Sequence, residues 1–147
     1  MTATVPDDAM LERLLKSSAR HSYDPIIDVD WDAPIPDGMW AMRPERMSLY
    51  GTELWDSLTE EQQRTLSMHE VASICSVGIW FEVILMQMML RDLYDDDPKS
   101  KHMQYALTEV ADECRHSTMF GKAIDRFGVP AYGPPPAIFK LGRLFTK

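Results

Sequence analysis

Cysteine is scarce in this chain of 147 residues: there are only two, Cys75 and Cys114. Both fall inside helical patterns and no short-spaced framework joins them. They read as reduced thiols of a cytosolic protein rather than as staples. Positive charge is scarce too. Fifteen Lys and Arg stand against 23 Asp and Glu, giving a net charge of −8. A nucleic-acid backbone calls for a basic stripe, and Lys140, Arg143 and Lys147 do not make one, so no nucleic-acid partner is expected. The opening MTATVPDDAM has neither a basic n-region nor an apolar h-region, so no secretory leader is expected. Internal repeats and low-complexity tracts are lacking. Asp95 to Asp97 lack the spacing of a calcium loop and read as a solvated turn.

Apolar residues are plentiful, at 45% of the chain. That is enough to bury one core and too little for two at this length. One run could span a bilayer: VASICSVGIWFEVILMQMML, Val71 to Leu90, carries a single charge, Glu82. Inserting that carboxylate at the centre of a membrane helix would cost about 2.5–3.5 kcal/mol. No basic cluster flanks the run to orient it. A helix buried on all sides within a bundle accounts for the pattern without a membrane.

Three segments can be distinguished. Residues 1–56 hold a short amphipathic helix over 7–20, with Met10, Leu11, Leu14 and Leu15 on one side, and then a proline-rich arm. Pro25, Pro34, Pro36 and Pro44 keep that arm extended, while Trp31 and Trp40 predict that it lies over a core. Residues 57–130 hold two long helices. The first begins at Ser57 or Thr59, each opening a capping box, and runs to about Leu93. His69 and Glu70 within it read as solvent-side surface. The second helix takes Asp97 as N-cap and Pro98 as first residue, and ends near Phe127 before Gly128 and Pro130. The bend YDDDP is short, so the helices are antiparallel neighbours. Residues 131–147 are a linker and the opening turns of a further helix.

At about 100° per residue, Met68, Val71, Cys75, Gly78, Glu82, Leu85, Met86, Met89 and Leu93 share a stripe on the first helix. Met86, Met88 and Met89 read as adaptable core packing. On the second helix the stripe is Ala106, Glu109, Glu113, His116, Phe120, Ile124 and Phe127. The midpoint of 82 and 113 falls in the bend, so Glu82 and Glu113 should meet across the seam with His116 one turn along. Two ionised carboxylates cannot stay unpaired there. No Lys or Arg belongs to the seam, and a divalent cation answers the need. Oxygen and imidazole donors suit iron or manganese.

A mid-helix Glu followed by Glu-x-x-His on the next helix is half of the ferritin-like di-iron carboxylate pattern. Here the second motif has the fuller form Asp112, Glu113, Cys114, Arg115, His116. The stretch WFEVILMQMMLRDLYDDDPKSKHMQYALTEVADECRHSTMFGKAI resembles the p-aminobenzoate N-oxygenase (AurF-like) di-iron oxygenases. The resemblance implies an all-α, ferritin-like helical bundle, of which two long antiparallel helices and an N-terminal arm would be half. It implies an enzyme that uses two irons, O₂ and an external electron donor to oxidise a small organic substrate, with arylamine nitrogen as the known target.

Carried onto this sequence, Glu82 would be a terminal or bridging carboxylate, Glu113 the bridging carboxylate and His116 the nitrogen ligand. Asp112 would orient an imidazole, Arg115 would pair with Asp112, and Glu109 ranks below the three ligands. No separate catalytic residue is assigned. Family members carry further Glu and His ligands in a second half. On this reading the chain is a truncated or half-site version, completed by a homodimer or by a second chain if it is active. The rival expectation is a non-catalytic helical interaction or metal-binding module that oligomerises through Val71 to Leu90.

Overall fold

A computed structural model of the chain describes residues 7–145. Most of the leader reading, on residues 1–6, and the basic Lys147 lie outside the described residues. The first helix, α1, spans Asp8–Arg20 and is capped by Asp7, whose carboxylate accepts from Met10 N at 2.7 Å. It buries Leu11, and Lys101 Nζ reaches back to Glu12 at 2.5 Å and Asp8 at 3.5 Å. Helix α1 thus docks on the start of α4, Lys101–Phe127.

Between them the arm lies over the hairpin, as its tryptophans predict. Ala41 N donates to the buried Ser67 Oγ at 3.1 Å, and Ser48 N donates to Glu70 Oε1 at 3.1 Å. Further on, Lys122 Nζ sits 5.5 Å from the centroid of the Trp31 ring, and Arg126 donates to Ala33 O. A five-residue helix that the sequence did not signal, α2 (Glu53–Ser57), buries Trp55 against Trp40 and Tyr50.

Helix α3, Glu60–Asp92, starts where the capping box places it. Thr59 Oγ1 accepts from Gln62 N at 3.3 Å, and Gln62 Oε1 accepts from Thr59 N at 2.9 Å. A 3₁₀ turn, Leu93–Asp95, follows directly. The N-cap expected at Asp97 is corrected by the structure. Ser100 is the cap, its hydroxyl accepting from Met103 N at 2.9 Å, and α4 begins at Lys101. Asp97 instead closes the bend, accepting from Lys99 N at 2.9 Å through its side chain and from Ser100 N at 2.8 Å through its carbonyl. An Asp-Pro pair suits a turn as well as a helix start, and here the turn takes it. Helix α4 ends at Gly128 in the left-handed region, φ 64°, where a side chain would be strained. The last helix, α5, is Pro136–Phe145.

Helices α3 and α4 pack antiparallel along most of their length. Ala72, Cys75 and Ile124 form the centre of the core, with Val71, Ile79, Phe120 and Ala123 around it. Gly78 lets the helices approach closely, since a Cβ there would stand 3.0 Å from the Phe120 ring. Among the described residues the chain is all helix without strand, arranged as a ferritin-like helical hairpin.

The expectation that Val71–Leu90 is buried on all sides does not hold in this chain. Ile74, Val77, Phe81, Val83 and Leu90 are exposed, and Met88 is exposed while Met86 and Met89 are partly buried. The hairpin covers one face of a helix that is apolar all round. By length and composition alone, that helix could cross a bilayer.

Candidate metal centre

The two long helices bring Glu82, Glu113 and His116 to one point, with one donor atom from each lying within 4.8 Å of the others. His116 Nδ1 is 2.8 Å from Glu113 Oε2 and 3.8 Å from Glu82 Oε1. An ionised carboxylate can only accept, so Nδ1–H donates to Glu113. Glu113 and His116 meet because residues three apart on a helix share a face. Glu82 meets them because the bend matches its height on α3 to theirs on α4.

The two carboxylates are largely buried, with side-chain exposures of 13% for Glu82 and 17% for Glu113, while the imidazole is half-exposed. Burial pushes the Glu82 carboxyl above the usual carboxylate range. The neighbouring Glu113 adds to this by hydrogen bonding and charge, and His116 opposes it. Among the described residues, His116 is the ion-pair partner of both acids. Two acids and an imidazole around one point, with no ammonium or guanidinium among the described residues paired to either acid, form a donor set that fits a divalent cation of the iron or manganese kind.

The neighbouring residues have other places. Asp112 accepts from Arg115 Nη1 at 2.7 Å, so those two form a pair on the outer side of α4. Within the chain the His116 Nδ1 is held by Glu113 rather than by Asp112. Glu109 lies outside the cluster beside Tyr105. There the phenol is held protonated above its usual range, by burial first and then by Glu109. Cys75 is core, its thiol pushed up by burial.

His69 and Glu70 are not the free surface the sequence suggested. His69 Nδ1 bonds the Tyr132 hydroxyl at 2.6 Å, and Glu70 holds Ser48. Two features near the site gave no sequence signal. Cys114 Sγ lies 3.4 Å from Met86 Sδ, and the buried Ser117 Oγ has no hydrogen-bond partner among the described residues.

The family model described as "P-aminobenzoate N-oxygenase AurF" matches residues 6–147. The uncharacterized protein Mb0909 of Mycobacterium bovis and the uncharacterized protein Rv0885 of Mycobacterium tuberculosis are each 29% identical to the chain over 140 residues. Those alignments take in 89% of this chain and 41% of either relative, so the chain spans less than half the length of the curated relatives it matches. No solved structure matches. A match across nearly every residue, together with the Glu and Glu-x-x-His convergence, leads to one assignment: the chain belongs to the p-aminobenzoate N-oxygenase AurF family, a di-iron oxygenase family.

Proposed function

We propose that this chain is the part of a di-iron carboxylate oxygenase that supplies Glu82, Glu113 and His116 as metal ligands. The reaction would be O₂-dependent N-oxygenation of a small, arylamine-type substrate. The observation that carries the reading is the convergence of three donor atoms within 4.8 Å in a largely buried seam. When bound, the metal pair would supply O₂ activation with electrons from an external reductase.

The chain's own residues have definable tasks. Glu82 and Glu113 offset the charge of the cation and are relieved of their mutual repulsion by it. The Glu82 carboxyl, raised by burial, must be ionised to ligate, so metal uptake would weaken as pH falls. A cation taken at His116 Nδ1 would replace its hydrogen bond to Glu113 and leave the ring N–H at Nε2. Phe120, one turn beyond His116, and Ile79, near Glu82, keep the seam apolar. A complete di-iron centre needs more ligands than these three, and a second copy or another polypeptide segment would bring them to the open side of α3. The two free thiols, Cys75 and Cys114, suit a reducing cytoplasm.

The test is anaerobic titration of the purified chain with Fe(II) or Mn(II), followed by thermal melting and size analysis. Stoichiometric uptake that raises the Tm and is lost in Glu113→Ala is expected. A well-folded chain that oligomerises and binds neither metal would replace this reading with the helical interaction module, which the exposed face of α3 favours.

A further inference from the structure

A cleft of about 450 Å³ lies between the arm and α4, on the side of α4 that carries Asp112, Arg115, His116 and Met119. Its size is in the range of pockets that hold small organic molecules. Tyr23, Pro25, Val29 and Met119 supply flat and apolar walls that suit one aromatic ring. His116 belongs both to this cleft and to the donor cluster. A ring lodged here would therefore stand beside the proposed metal ligands.

Charge decides what else the ring can carry. The lining includes three carboxylates, Asp24, Asp28 and Asp112, against one guanidinium, Arg115, and two imidazoles, His21 and His116. That guanidinium is engaged, because its Nη1 donates to Asp112 at 2.7 Å. The two arm carboxylates are fixed by backbone amides: Asp24 N donates to Asp28 Oδ2 at 2.7 Å, and Ile26 N donates to Asp24 Oδ1 at 2.8 Å. Their charges are therefore held at the rim, with no lysine or arginine among the described residues bonded to them. A carboxylate-bearing ligand would meet repulsion from both, and a cationic one attraction.

We infer that this cleft is the substrate site of the chain and that it selects aromatic amines whose second substituent is cationic or neutral, discriminating against a carboxylate. The inference rests on the oxygenase reading for the role of the amine, but the charge preference follows from the cleft alone.

The probes are three ligands of one shape: 4-(aminomethyl)aniline, 4-aminobenzyl alcohol and 4-aminobenzoate. Their binding to the metal-free full chain is followed by NMR shift changes, with Tyr23 and His116 as reporters. The expected order is cation tightest and carboxylate weakest. Asp24→Asn with Asp28→Asn keeps the acceptor oxygens that hold the turn. It should weaken the cation about tenfold, as two exposed charge contacts would, and leave the neutral ligand unchanged.

Tightest binding of the carboxylate would overturn the inference, as would a preference that the Asn pair does not move. The metal titration separates the two readings. A chain that shows this order but takes up no metal keeps the cleft and loses the oxygenase. A chain that takes up metal but prefers the carboxylate does the reverse.

Discussion

Glu82 on α3 and Glu113 on α4 face each other at the same height across the hairpin, two carboxylates joined by the His116 imidazole beside an apolar core. Without a cation this pair opposes folding, through burial of Glu82 and its repulsion by Glu113. Glu82→Gln should therefore stabilise the metal-free chain by about 1 kcal/mol at neutral pH. It should also abolish the Tm rise produced by Fe(II) or Mn(II). Melting curves of both proteins with and without metal check this, and destabilised metal-free Glu82→Gln would contradict it.

The docking of α1 has a defined pH window. Lys101 holds the Glu12 carboxyl below its ordinary value, and Glu12 holds the Lys101 ammonium above its own. A lowered carboxylate contributes stability that is present above the unfolded value and lost as pH falls through the folded one. A raised ammonium contributes stability that is complete below the unfolded lysine value and lost as pH rises through the folded one. Helix α1 should therefore be best protected between the two ranges and loosen in acid, while high salt should weaken the docking at neutral pH and flatten this pH dependence. Hydrogen exchange of the Leu11 to Leu15 amides, compared between neutral pH and pH near 3, reports it.

Gly142 of α5 rests on the Trp80 indole of α3. A Cβ at that position would overlap the ring and come within 2.8 Å of Ile84 Cδ1. Gly142→Ala should displace α5 from α3 at a cost of about 1–3 kcal/mol in docking, more than the gain in helix propensity. Greater solvent quenching of tryptophan fluorescence is the expected sign, with the core of the hairpin intact by circular dichroism.

The start of α3 hangs on one reciprocal pair of bonds, Thr59 with Gln62. Thr59→Ala should lower overall stability by about 1 kcal/mol, while Thr59→Ser should retain most of it. Chemical denaturation of the three proteins distinguishes loss of the cap from loss of a methyl group.

The hairpin was legible because its signals are local and geometric. Thr59 with Gln62 marks one helix start, Gly128 marks one helix end, and equal distance from the bend pairs Glu82 with Glu113. The start of α4 was not, since Asp97-Pro98 and Ser100 are both sound caps and only the packed bend chooses between them. Burial of α3 was misread for a related reason. A helix apolar on every side has no periodic moment, so its sequence cannot say which faces a neighbour covers. The tie of Glu70 to Ser48 depends on where the irregular arm crosses α3, and that of His69 to Tyr132 on where the segment after α4 returns to it; neither segment has a periodicity that gives a register.

Two of the three donors, Glu113 and His116, ride on a single turn of α4, so their spacing is fixed by helix geometry. The third, Glu82, is placed by how closely α3 can approach, and one turn away that approach is set by the Phe120 ring resting on the bare backbone of Gly78. Widening or narrowing this one aromatic–glycine contact would change the size of ion that two carboxylate oxygens and one imidazole nitrogen could grip. Selection among cations would thus be tuned from the packing, with all three donor side chains left in place.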